Sequence, residues 1–212
     1  MKYTVKKVND LLLNEFFNNN EFECDSFKVN NYLWKENNYK PDVEVKLYYS
    51  NENLLVHFRV FEKYITAKYL NINDPVYKDS CVEFFVNLFP DKSDAYFNFE
   101  INAIGTIYAG FGNVKNNTFI DVKDIETIRV FSTIKEPVVG AIQNDNWEIK
   151  LIIPIKLFEK FYNFKFKGNN AKANFYKCGD ESQFEHYGCW NPIISSFPNF
   201  HLPEYFGDLF FE

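Results

Sequence analysis

From about residue 42 onward, apolar and polar side chains alternate in short runs separated by turn-forming residues. Val43–Tyr49 alternates in this way and predicts a half-buried strand. Asn53–Val60 predicts a second, reached through a hairpin turn at Ser50-Asn51-Glu52. Further strands are predicted at Cys81–Phe89, Ala95–Ile101, Gly105–Phe111, Ile128–Ser132, Trp147–Ile153, Ala171–Cys178 and Leu209–Phe211. Two short helices are predicted: residues 10–17, with Asp10 as N-cap, and Pro154–Phe161, since proline suits a first helical turn. No linker or internal repeat divides the chain, and 212 residues suit one sandwich. The expectation is an all-β fold, an antiparallel β-sandwich with one or two short helices. It forms a single domain over residues 1–212, with residues 1–24 as an N-terminal extension packed on it.

The most informative stretch is residues 79–102. If Phe89 pairs with Asp94 across the loop Pro90-Asp91-Lys92-Ser93, opposed residue numbers sum to 183. Glu83 then faces Glu100, Phe85 faces Asn98 and Asn87 faces Tyr96. Side chains alternate along a strand, so these six residues and Asn102 share one face. Val82, Phe84, Val86, Phe97, Phe99 and Ile101 share the other, which reads as core. Carboxylates directly opposed across a ladder have Cβ atoms about 4.5–5.5 Å apart and repel. Solvent, a cation, a shared proton or a ligand's hydroxyl groups must offset that repulsion. A solvated outer face and a functional site both fit the pattern.

A second dense cluster lies near the C-terminus, where Trp190, Phe197, Phe200, Tyr205 and Phe206 stand among Pro192, Pro198 and Pro203. Prolines stiffen such a segment. Its rings either pack on the sandwich edge or line a pocket, with Lys177, His186 and His201 as polar groups. Aromatic residues make up 20% of the chain, which favours strands and leaves rings to spare for stacking.

Acidic residues outnumber basic ones, 29 to 23, which argues against nucleic acid as a partner. No apolar run reaches the roughly 18–20 residues of a membrane span. At the N-terminus the apolar run is only Leu11–Leu13, short of the roughly 7–15 residues of a secretory signal. The expectation is therefore a cytoplasmic protein with reduced thiols at Cys24, Cys81, Cys178 and Cys189. None of these forms a CxxC pair, so no zinc knuckle or thioredoxin-like motif is indicated. Oligomeric state leaves no trace in the sequence.

The ordered set D-S-x-V-E-x-F (79–85), F-x-x-N-x-x-G (99–105), W-x-x-x-x-x-I-P (147–154) and F-H-x-P-x-x-F-G (200–207) resembles the family 9 carbohydrate-binding modules. The likeness is strongest to stand-alone, family-9-like proteins of the wider DOMON-like superfamily. It runs from about residue 25 onward, and Trp34 fits the family's early tryptophan. The resemblance implies an immunoglobulin- or jelly-roll-like sandwich that binds a mono- or oligosaccharide without catalysis, in support of carbohydrate catabolism. By motif position it implies stacking on Tyr77 and Phe200 with Trp190 as a neighbour. Glu83, Glu100, Asn102, Lys177 and His201 would be hydrogen-bond partners. Typical members carry tryptophan at the stacking positions and a basic residue on the second strand, where this chain has Tyr77, Phe200 and Glu100. The resemblance admits a structural calcium, with no ligands assigned, and implies no other cofactor. Haem held by a His/Met pair, as in related sandwiches, is not available, since Met1 is the sole methionine. Two other readings remain: a glycoside hydrolase using the opposed Glu83/Glu100 pair, or a scaffold without a ligand.

Overall fold

Alternation along the strands does most of the building. Val43, Val45 and Leu47 from one strand and Leu54, Val56, Phe58 and Val60 from the next all enter one buried core. Burying such branched and aromatic side chains is worth about 1.5–3 kcal/mol each. The computed structural model describes residues 1–18, 22, 24–35, 37–162 and 165–212. Part of the extension expected at residues 1–24, namely positions 19–21 and 23, lies outside the described residues.

In chain order the elements are β1 (Lys2–Lys7), α1 (Leu13–Phe17), β2 (Phe27–Val29), β3 (Asn31–Tyr32), β4 (Asp42–Tyr49), β5 (Asn53–Phe61), β6 (Tyr64–Ala67), β7 (Cys81–Asn87), β8 (Tyr96–Asn102), β9 (Ile107–Gly112) and β10 (Asn117–Phe119). There follow α2 (Val122–Ile125), β11 (Arg129–Ser132), β12 (Val138–Ala141), β13 (Asn146–Pro154), α3 (Ile155–Glu159), β14 (Asn170–Cys178), β15 (Tyr187–Cys189) and β16 (Gly207–Phe211). The fold is a curled β-sandwich with three short α-helices among the described residues. Each of the nine predicted strands is present, with ends displaced by a residue or two.

One sheet runs β10-β9-β8-β7-β14-β16-β1 and the other runs β1-β4-β5-β13-β11. β1 belongs to both. Its first four residues pair with β16 and its last two with β4, and both pairings are parallel. These parallel ladders depart from the antiparallel expectation and join the two layers. β15 and β3 extend from β14, β2 from β4, and β6 with β12 forms a separate ribbon.

The first helical segment starts one residue earlier than predicted. Asn9 is the cap, its side chain accepting from Leu11 N at 3.0 Å. Asp10 instead accepts from Asn51 N at 3.2 Å, tying the segment to the β4–β5 turn. Phe16 of α1 then covers the outer face of the second sheet against Tyr48, Leu55 and Ile152. No helix among the described residues is long and apolar enough to cross a membrane.

The β7–β8 register is the predicted one, running from Cys81↔Asn102 through Glu83↔Glu100 to Val86↔Phe97. Only the loop differs. Both strands stop short because the Asn87 side chain donates to Ser93 O at 2.7 Å and accepts from Phe89 N at 2.8 Å, which closes a wider turn. Inward-facing Val82, Phe84, Val86, Phe97, Phe99 and Ile101 join the main core. Outward-facing Phe85 and Tyr96 are just as fully buried, in a second cluster with Tyr176, Phe200 and Phe206. The polar face is therefore no solvated surface, because residues 190–206 fold back over it.

Trp190 is part of that return, but its ring lies in the main core against Phe27 and Phe175. It needs the close approach that Gly207 allows: a Cβ there would stand 2.6 Å from Trp190 Cζ3 and 3.0 Å from Met1 O. Gly207→Ala is expected to destabilise the fold by about 1–3 kcal/mol through overpacking. Urea unfolding would measure this, and an unshifted midpoint would show that Trp190 has room to move.

Candidate functional site

β8, β7 and β14 lie side by side, so one outer face collects side chains from three strands. Glu83 is opposed by Glu100 on β8 and by Tyr176 on β14, and Cys81 is opposed by Asn102 and Cys178. On the far edge β9 places Tyr108 opposite Glu100.

The return segment is fastened over this face by specific bonds. Asn174 on β14 donates to Asn191 O and Tyr205 O, and it accepts from Asn191 N at 2.9 Å. The Tyr176 hydroxyl donates to Phe200 O at 3.1 Å, and the two rings stack at 4.1 Å, 11° from parallel. Trp34 donates from Nε1 to Ser195 O at 2.7 Å. The Tyr96 hydroxyl bonds His201 Nδ1 at 2.8 Å.

Between sheet and cover lies a cavity of about 320 Å³, large enough for a ring-sized ligand. Its polar walls are Glu83, Glu100 and Asp180 with His201, Cys178 and Asn199; its aromatic walls are Tyr77, Tyr108, Tyr187 and Phe200. Among the described residues, no lysine or arginine lines it. Five of the eight residues singled out in the sequence thus converge: Tyr77, Glu83, Glu100, Phe200 and His201.

Asn102, Lys177 and Trp190 do not reach it, and each has another task. Asn102 donates to Tyr69 O and to Asp79 Oδ2, both at 2.9 Å, and accepts from Thr106 N. It braces the turn that Gly105 closes at φ +90°, a conformation suited to glycine. Lys177 fails by parity. Tyr176 and Cys178 point to the covered outer face, where Cys178 lines the cavity, so the residue between them faces the core.

There Lys177 Nζ lies 3.2 Å from Glu62 Oε2 and 2.6 Å from His186 Nε2. An ammonium only donates, so His186 Nε2 is bare and its proton sits on Nδ1, which donates to Phe184 O. Burial, then the charge of Lys177, holds His186 well below its ordinary pKa and keeps it neutral. The Trp147 indole N–H completes the cluster by donating to Glu62 at 3.2 Å.

Burial dominates the electrostatics of the cavity. It pushes Glu100 up to about 7, with Asp180 adding to the rise and the Asn98 amide, 3.0 Å away, opposing it. Burial and the neighbouring Glu185 bring Asp180 up to about 6. Glu83 stands well above the ordinary carboxylate range, through burial first and then the nearby Cys178 and Glu100. The Cys178 thiol donates to Glu83 Oε1 at 3.0 Å. Protons held within the carboxyl group therefore relieve the repulsion that opposed glutamates would otherwise suffer.

Asp180, Tyr108, Cys178, Tyr187 and Asn199 were not anticipated. Tyr108 and Asp180 were within reach of the pattern, one by extending the register to the next strand, the other by continuing the 176, 178 parity. Tyr187 arrives on β15, three residues with no strand signal of their own.

The tight donor cluster at the floor of the cavity does not suit the calcium that the family resemblance admits. Among the described residues, one group of His, Cys, Asp or Glu brings three donor atoms within 4.8 Å of one another, and it is Cys81, Glu83 and Cys178. Calcium takes six to eight oxygens, whereas two of these three donors are sulfur.

A β-sandwich with a covered, ring- and carboxyl-lined cavity on one sheet is the build of a small-ligand binding module. The chain belongs to carbohydrate-binding family 9, whose family model matches residues 13–211. A Bacteroides uniformis protein provisionally described as carbohydrate-binding is 30% identical, with a TM-score of 0.86; the match covers 100% of this chain and 99% of that one. Family 9 modules from Caldicellulosiruptor kristjanssonii share the fold with TM-scores of 0.65. The one solved with glucose is 12% identical, the match covering 100% of this chain and 96% of the module. The one solved with cellotriose is 13% identical, covering 100% and 94%. A comparison with curated proteins finds no match.

The buried cluster behind the cavity makes a sharp expectation. Lys177→Met leaves Glu62 in the core without its cation and is expected to cost about 3–5 kcal/mol. A chemical denaturation midpoint close to wild type would show that Glu62 does not depend on Lys177.

Proposed function

We propose that the protein is a non-catalytic carbohydrate-binding protein that takes a neutral sugar into the cavity, in support of carbohydrate catabolism. The observation that carries this reading is the pairing, in one open-mouthed cavity, of ring faces with convergent carboxyls and, among the described residues, no lysine or arginine. A pyranose has an apolar C–H face and a hydroxyl rim. Tyr77 and Phe200 suit the first; Glu83, Glu100, Asp180 and His201 suit the second. The glucose and cellotriose carried by modules of the same fold support the same class of ligand. Asn102, Lys177 and Trp190 have no part in this reading.

Tyr77 is 39% exposed and stands outside the packed cover, so it can be removed without unfolding the chain. Titration calorimetry with glucose and cello-oligosaccharides is expected to show binding that Tyr77→Ala weakens about tenfold, the equivalent of about 1.4 kcal/mol. Its melting temperature should stay that of wild type. Unchanged affinity in a folded Tyr77→Ala protein would remove this ring from the site.

The absence of lysine and arginine from the lining makes a second expectation. With a metal chelator present, neutral sugars should bind at least tenfold more tightly than the corresponding uronic acids or sugar phosphates. Preference for the anionic forms would contradict the reading.

The direct opposition of Glu83 and Glu100 favours one alternative, a retaining glycosidase, which uses carboxyls about 5–5.5 Å apart. Release of chromophore from aryl glycosides that is lost in Glu100→Gln would establish it in place of simple binding.

A further inference from the structure

We propose that Cys81, Glu83 and Cys178 form a binding site for one soft divalent cation of the zinc type at the floor of the cavity. The site goes beyond sugar binding and does not require it.

The strands bring these donors together. Cys81 and Cys178 are directly opposed across the β7–β14 ladder. Glu83 lies two residues along β7 and therefore points to the same face. All three side chains are buried. Their donor atoms lie within 4.8 Å of one another, and Cys178 Sγ is 3.0 Å from Glu83 Oε1. A tetrahedral zinc ion with Zn–S bonds of about 2.3 Å needs donors about 3.8 Å apart, a distance small side-chain adjustments reach.

Two sulfurs and one carboxylate oxygen select a soft, four-coordinate ion over calcium or magnesium. Glu83 and Cys178 line the cavity, whereas Cys81 sits behind them with no exposed surface. The fourth coordination position thus opens into the cavity, where water or a ligand hydroxyl can occupy it. The charge arrangement agrees with this. The cavity has three carboxyls and, among the described residues, no lysine or arginine on its walls, so no fixed positive charge there repels a divalent cation. The two other thiols are elsewhere. Cys189 donates to Asn31 O at 3.5 Å, and Cys24 lies near the Tyr3 hydroxyl.

The test uses the full chain, kept reduced by a non-thiol reductant and stripped with a chelator. It is titrated with cobalt(II) as a spectroscopic probe and then with zinc(II). The expected result is one cobalt per chain with a thiolate-to-metal absorption band, displaced by one equivalent of zinc. Zinc, but not calcium, should raise the melting temperature. Cys178→Ser should weaken zinc binding on the order of a hundredfold, while Cys24→Ser should leave it unchanged. If Cys178→Ser does not fold, Cys81→Ser supplies the same comparison. Absence of a thiolate band in the folded wild-type protein overturns the proposal, as does a band that persists unchanged in the serine variant.

Discussion

Two glutamates held face to face across a hairpin, out of water, set the terms for this protein. The ladder leaves Glu83 and Glu100 no choice of neighbour, because Cys81↔Asn102 and Val86↔Phe97 pin the register on either side. In water the pair would be mildly repulsive. Under the 190–206 return it is a desolvated pair, and ionising both groups becomes costly. The structure answers with protons, a thiol donor from Cys178 and the Asn98 amide. A ligand rich in hydroxyl groups, or a cation, can take over that role. The cover that buries the pair also brings Phe200 and His201 to the cavity wall, so the electrostatic problem and the binding surface arise together.

The strands that build the cavity serve two environments at once, and parity decides which residue serves which. On β14, Asn174 and Tyr176 hold the cover and Cys178 lines the cavity, while Phe175 and Lys177 point to the opposite, inward face. Lys177 is a cation that the cavity does not get. It neutralises Glu62 on the opposite side of the same strand, beneath Trp147. The family-like motif around β7 divides in the same way. Asp79 accepts from Lys68 N, Tyr69 N and Asn102 to hold the preceding loop, and Ser80 accepts from Thr66 N. Of that motif, Glu83 is the residue that meets the cavity.

Much of this was legible in the sequence where the signal was local. Nine runs of alternating or continuous apolar residues are strands, and a four-residue loop at 90–93 implies the Glu83/Glu100 opposition, which holds although the actual turn is wider. Long-range pairing was not legible. β1 reads as a polar, lysine-flanked segment, yet its parallel ladders with β16 and β4 join the two sheets. A strand of two or three residues such as β3 or β15 exists only because a neighbour supplies its hydrogen bonds. Whether the polar face was solvated could not be read locally either, since its burial depends on a segment a hundred residues away. The misplaced Lys177 is a different case: its parity relative to Tyr176 and Cys178 was already in the sequence, and motif position outweighed it.

The most direct measurement is a crystal structure of the protein soaked with glucose or cellotriose. The account predicts a sugar ring in the cavity, its C–H face against Tyr77 or Phe200 and its hydroxyls within hydrogen-bond distance of Glu83, Glu100 or Asp180. A sugar bound elsewhere on the sandwich, with the cavity holding only water, would contradict it.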